Sequence, residues 1–407
     1  MRPIAALLCA LWFAPAARPQ EIYDLLIQGG HVIDPKNQRN ERLDVAVTAG
    51  RIRKVARDIP AAHARRIIPA RGYYVTPGLI DLHAYLDTAG DGNSVNADHN
   101  SLRHGVTTAV DAGSSGHETF EAFQSTVIDR AQTRILAFLN IAGGGMPDSR
   151  KRSGQAVMDA EATARMARKY PRIIAGIRAA GVQPDTAEAL VRAQRAAELS
   201  GSIVMADFPS PDGPGRERLL DRLRPGDLLT HLYGRFTPLL DERGKVGDAM
   251  ARARGRGVLF DAGHGDTGFR FHNAETALRQ GFLPGTLSTG LNQQSILLQR
   301  ATMTNVLSKF LALGMTLPQV IERATVNPAR ALRRPELGTL SEGSEADIAL
   351  FELRTGAFAL VDSGRAKRTA KQELRCVLTV RDGAVVWDSE GLAAGDWRDA
   401  GPYTNFK

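Results

Sequence analysis

Residues 23–32 alternate between apolar and polar positions and are rich in β-formers, with Gly29-Gly30 breaking the run as a hairpin does. Residues 43–47 and 51–55 read as further short strands on either side of Ala49-Gly50, and this all-β start ends near Pro77-Gly78. From there the pattern changes. Apolar runs at 79–82, 107–110, 135–139, 173–177, 203–205, 227–230, 258–260 and 286–288 are separated by stretches of helical periodicity such as 186–199 and 297–313. Runs alternating with helices in this way predict parallel β/α units, and the length of the block, near the ~250 residues of a closed barrel, predicts a TIM-like (β/α)₈ fold. After Asn327-Pro328-Ala329 the runs at 347–351, 377–380 and 384–387 are short and alternating again. The expected α/β architecture is therefore a barrel over 77–336 inserted in a small β-sandwich formed by both chain ends, 18–76 and 337–407.

The first residues stand apart from that fold. One positive charge at Arg2 precedes an apolar run over residues 4–13, and Ala14-Pro15-Ala16 supplies the small-x-small pattern of a signal-peptidase site. The run is shorter than the ~20 residues that span a bilayer. Residues 1–17 are therefore expected to be a cleaved signal peptide, with the mature chain periplasmic or extracellular and not inserted in the membrane. Cys9 goes with the leader. That leaves Cys376 without an intramolecular disulfide partner, so stability must come from a hydrophobic core.

The chain has 407 residues, enough for a catalytic-size domain and a smaller one. With 52 Lys and Arg against 44 Asp and Glu its net charge is +8. Basic residues are dispersed among acids, with short clusters such as Arg150-Lys151-Arg152 and no aromatic-basic interleaving, which argues against nucleic acid and for anionic small-molecule partners. Gly143-Gly144-Gly145 follows the third barrel run without a GKS/T or GxGxxG pattern, and reads as a loop rather than a phosphate cradle.

Chemistry in such a barrel gathers where the strands end. The runs terminate at or near His83, Arg178, Asp207, His231, His264 and Gly290. Imidazole and carboxylate are standard divalent-metal ligands, so three histidines and an aspartate around one mouth make a candidate metal centre.

At these residues the chain resembles the amidohydrolase superfamily, in its deacetylase and dihydroorotase-like branch. The resemblance rests on residues 75–83 (VTPGLIDLH), 105–113 (GVTTAVDAG), 135–141 (ILAFLNI), 224–227 (RPGD), 260–265 (FDAGHG) and 327–332 (NPARAL), and spans nearly the whole mature chain. It implies a one- or two-metal centre, usually zinc. The family pattern has His-x-His on the first strand, a carboxylated lysine on the fourth, histidines on the fifth and sixth, and an aspartate base ending the eighth. Metal-bound water is the nucleophile in such sites, its pKa lowered to about 7. The family also commonly forms homo-oligomers.

Against that pattern the sequence reads His83-Ala84-Tyr85 on strand 1, Arg178 on strand 4, Asp207 on strand 5 and Ser288-Thr289-Gly290-Leu291-Asn292 on strand 8. A guanidinium stays protonated and cannot form a bridging carbamate. Gly290 has no side chain to serve as base. Two readings stay open. In one the protein has lost most or all activity, holds no metal, pairs Arg178 with Asp207, and binds a small anion through Arg178, Tyr85 and Asn292. In the other, His83, Asp207 and His231 hold a single zinc for hydrolysis of an amide or ester, with His264 as acid or base and Arg178 stabilising the oxyanion.

Overall fold

The computed structural model describes residues 22–146, 157–179, 186–207 and 216–398. The expected signal peptide, Cys9 and the Arg150-Lys151-Arg152 cluster lie outside them.

Both chain ends join in one hydrogen-bonded sheet. Strands β1 (Leu25–Asp34), β2 (Arg39–Thr48), β3 (Arg51–Ala56), β4 (Ile67–Pro69) and β5 (Tyr74–Pro77) come from the N-terminal side. The sheet runs β3-β2-β1-β5 into three C-terminal strands, Ile348–Val361, Lys367–Arg381 and Ala384–Asp388, with β4 also beside β1. The seam is the antiparallel pairing of β5 with the first of these, Ile348 facing Pro77 and Phe351 facing Tyr74. Alternate residues from both sides, among them Ile27, Val45, Val47, Ile348, Leu350 and Val380, share one apolar cluster, as the period-2 pattern requires.

The barrel begins one residue after β5. Its strands are β6 (Leu79–Ala84), β7 (Val106–Gly116), β8 (Arg134–Asn140), β9 (Ile174–Ala179), β10 (Ile203–Ala206), β11 (Leu228–Leu229) and β12 (Leu259–Phe260), parallel and in sequence order. Gly78 makes the joint. Its N–H donates to Asp347 O at 2.7 Å, and a Cβ there would lie 2.2 Å from Thr107 Oγ1. Only glycine leaves room there for the Thr107 side chain.

Alternation along the barrel strands sorts the side chains into two sets. Ile80, Leu82, Val110, Leu136, Phe138 and Met205 pack together in the lumen. Leu79, Ala109, Ile135, Leu139, Ile177 and Val204 pack against the helices. The eighth position is filled irregularly. Residues 286–291 bridge both neighbours, Thr286 to Asp261 and Leu291 to Ala84, but form no regular strand. The cause is local: Thr289 N–H is taken by the Asp81 carboxylate at 2.9 Å, and Gly290 turns into the left-handed region at φ +56°. The helical stretch expected over 297–313 is likewise two helices, Gln293–Leu298 and Met303–Ala312, parted at Arg300 with φ +47°.

Candidate functional site

Strand pairing decides what reaches the lumen behind the mouth. Arg178, near the end of β9, is in register with Asn140 and Met205 and so shares the lumenal side of Met205. A Cβ on Gly113 would lie 2.9 Å from the Arg178 Cβ, so glycine makes room for the guanidinium stem. Arg178 is fully buried, and its Nη2 donates to Asp207 Oδ2 at 2.7 Å. Arg178 Nε and Nη1 and Asp207 Oδ1 have no partner among the described residues. Each unmet buried group costs about 1–3 kcal/mol, so the arrangement is incomplete without a further acceptor.

His231 stands beside this pair, with Nε2 3.8 Å from Asp207 Oδ2. It adopts φ +56°, and its Nδ1 donates to the carbonyl of Gly263. The side chains of Asp207 and His231 are 16% and 18% exposed, so they, and not Arg178, meet solvent at the mouth.

His83 is fully buried, and its ring centroid lies 4.8 Å from that of His231. Burial above all, then the neighbouring His231 and Arg178, pushes its pKa well below the usual imidazole range. The hydrogen bonds fix the tautomer of the neutral ring. The Asp261 carboxylate accepts from Thr230 at 2.8 Å, Thr286 at 2.7 Å and Ser288 at 2.6 Å. Thr230 has thereby used its one hydrogen, so its contact with His83 Nδ1 at 2.8 Å makes Nδ1 the donor. His83 Nε2 then accepts from the Tyr85 hydroxyl at 3.1 Å. Both ring nitrogens are committed. Asp261 itself is pushed above the carboxylate range by burial, and Asp81 to about 7 by burial, partly offset by its bonds from Thr289.

Two expected residues are occupied elsewhere. His264 was expected at the mouth as acid or base. It is buried and stacked on Phe269, with Nδ1 bonded to Gly265 O at 2.8 Å and Nε2 accepting from Lys309 Nζ at 2.8 Å. Neither nitrogen is left for a substrate. Asn292 was expected to touch ligand. Its side chain instead caps the helix Gln293–Leu298, accepting from Ser295 N–H at 2.8 Å, while its amide donates to Asp266 at 3.2 Å. Sequence reasoning missed Thr230, Asp261 as an anchor, and Lys309. The signal for Lys309 was the lone charge in Met303–Ala312, whose other residues are apolar or uncharged polar.

The amidohydrolase family model matches residues 273–386. A deacetylase of Enterococcus faecalis is 27% identical over 377 residues, covering 89% of this chain and 99% of that one. A deacetylase of Agrobacterium fabrum is 28% identical over 325 residues, covering 77% and 79%. Among solved structures, an adenine deaminase superposes with TM-score 0.81 at 27% identity, over 89% of this chain and 99% of the other. A dihydroorotase superposes with TM-score 0.79 at 25% identity, over 90% and 99%. The chain belongs to the amidohydrolase superfamily. Its similarity to the two deacetylases runs over most of its length, as expected for a hydrolase of that branch.

The site of this amidohydrolase-superfamily chain does not fit the metal that the family implies. No group of three or more His, Cys, Asp or Glu side chains among the described residues is placed to hold an ion. The chemistry of the donors says why. The two nitrogens of His83 are used by Thr230 and Tyr85, and Asp207 Oδ2 is used by a guanidinium that carries a fixed positive charge. The expected base position is closed as well. A Cβ on Gly290 would lie 2.5 Å from Gly265 N, and Gly290 N–H donates to His83 O at 2.7 Å.

Proposed function

We propose that this chain is an amidohydrolase-superfamily protein with lost or strongly reduced hydrolysis, whose mouth binds a small ligand through an acceptor oxygen, a carboxylate above all. The observation that carries this reading is the buried Arg178 guanidinium, with Nε and Nη1 unmet among the described residues. It supplies a permanent charge in the lumen, where His83 is held neutral. Asp207 competes for that charge and stands between it and solvent, so an anion gains access by moving Asp207 aside.

The competition gives the test. Purified protein from zinc-supplemented cells should contain metal well below one equivalent. Short carboxylates should raise its melting temperature, as mass action requires of a native-state ligand. Asp207→Asn, which keeps an acceptor for Arg178 but removes the rival charge, should strengthen the carboxylate effect, and Arg178→Met should abolish it. Stoichiometric zinc, or a carboxylate effect indifferent to Arg178→Met, would sink the reading.

The reading includes export. Residues 1–17 support it, and no helix among the described residues is long and apolar enough to cross a membrane. Sequencing of the mature N-terminus should begin after Ala16 or Ala17; a retained Met1 would exclude cleavage.

A further inference from the structure

The barrel end opposite the mouth carries a second concentration of charge. Two adjoining cavities of about 450 and 240 Å³ share Ile203, Ala331 and Arg333, beside the beginnings of β9, β10 and β12. Arg168 and Arg334 line the larger and Arg330 the smaller, and neither is lined by a carboxylate. Arg168, Arg333 and Arg334 each give one nitrogen to a backbone carbonyl, of Leu199, Gly201 and Pro171. Those bonds hold the side chains without neutralising them. The other N–H donors of each fork are uncommitted among the described residues, and the salt bridges there include none of the four.

Arg333 adds an independent observation. It lies two residues beyond the helix Val326–Ala331, at φ +56°. Helices commonly end there on glycine, because a Cβ in the left-handed region costs about 1–2 kcal/mol. Here a strained backbone position carries an arginine, and its side chain stands between the two cavities. Backbone strain of this kind persists where the side chain is needed.

We propose that these cavities bind a phosphate-bearing anion. Guanidinium forks match phosphate oxygens geometrically, and clustered like charges without a counter-charge gain most from a multivalent one. The larger cavity exceeds what a single carboxylate fills. A phosphorylated small molecule and an anionic lipid headgroup share this chemistry.

The experiment uses the full chain with inorganic pyrophosphate in a calorimeter, and with phosphatidylglycerol or phosphatidylcholine vesicles in a flotation assay. Arg333→Gly keeps the left-handed turn and should fold. It should weaken pyrophosphate binding about tenfold, the effect of losing one charge-assisted contact. The double variant R168Q/R330Q should weaken it further, and added salt should weaken all of it. Arg178→Met, at the mouth, should leave it unchanged, which separates this site from the one proposed above. Pyrophosphate binding without vesicle flotation assigns a free phosphate compound. Flotation with phosphatidylglycerol alone, competed by pyrophosphate, assigns a headgroup. Absence of both, or binding that Arg333→Gly leaves intact, overturns the proposal. So does a lower melting temperature in Arg333→Gly with no change in binding, which would make the arginine a strut for Gly201.

Discussion

Among the described residues Arg178 and Lys309 are both buried cations, and they solve the same problem differently. Arg178 lies in the lumen behind the mouth and keeps its charge, so it needs the Asp207 carboxylate at 2.7 Å. Lys309 lies in the helix Met303–Ala312, equally buried, with an uncharged imidazole as its close partner. An ammonium can shed its proton and a guanidinium cannot. Burial accordingly lowers the Lys309 pKa to about 7, with Asp362 opposing the shift and Arg300 adding to it. The lumen holds a charge that does not answer to pH, and the helix seam one that does.

Removing the lumenal partner should have the largest effect. Asp207→Ala leaves a buried guanidinium uncompensated and should cost about 3–5 kcal/mol in denaturant unfolding. A loss under 1 kcal/mol would mean that something else already satisfies Arg178.

Restoring the family's aspartate comes next. Gly290→Asp puts a Cβ into the Gly265 backbone at positive φ, and should cost about 2–4 kcal/mol without giving hydrolysis. Substantial turnover of an N-acyl substrate by this variant would break the comparison, because it would show that Arg178 does not exclude the chemistry.

At the helix seam the expected sign reverses. Lys309 binds its proton less tightly folded than unfolded, so stability rises with pH from about 7 toward 10.5 and the full penalty applies below about 7. Lys309→Met should stabilise by about 1–3 kcal/mol at pH 6. The gain should shrink as pH is raised to 10. A pH-independent gain would show that the lysine stays charged in the fold throughout.

The smallest effect sharpens the border of the site. Asn292→Ala should cost about 1 kcal/mol, the usual value of a lost N-cap, and leave carboxylate binding alone. Loss of binding with unchanged stability would return Asn292 to the mouth.

Periodicity made the barrel legible because seven of its strands are regular and in sequence order. It failed at 286–291, where Asp81 and Gly290 replace strand pairing by side-chain bonds and a left-handed turn, neither of which leaves a periodic trace. The Arg178–Asp207 pair could be anticipated from strand ends alone, since adjacent parallel strands bring their termini together. The fates of His264 and Asn292 could not. A motif gives a residue's place along the chain, while its role depends on which partner reaches its polar atoms first. For His264 that partner, Lys309, lies 45 positions away on a helix.

The single-residue joint at Gly78 also bears on how the chain folds. The first barrel strand takes its position from β5, and β5 is clamped by strand residues roughly 270 positions further along. On a ribosome or emerging from a translocon, the β1–β3 meander can pair early, but β5 waits with an open edge until residues 348–351 arrive. The barrel is therefore anchored last at the place where it begins, and the waiting edge of β5 is where a chaperone is most needed.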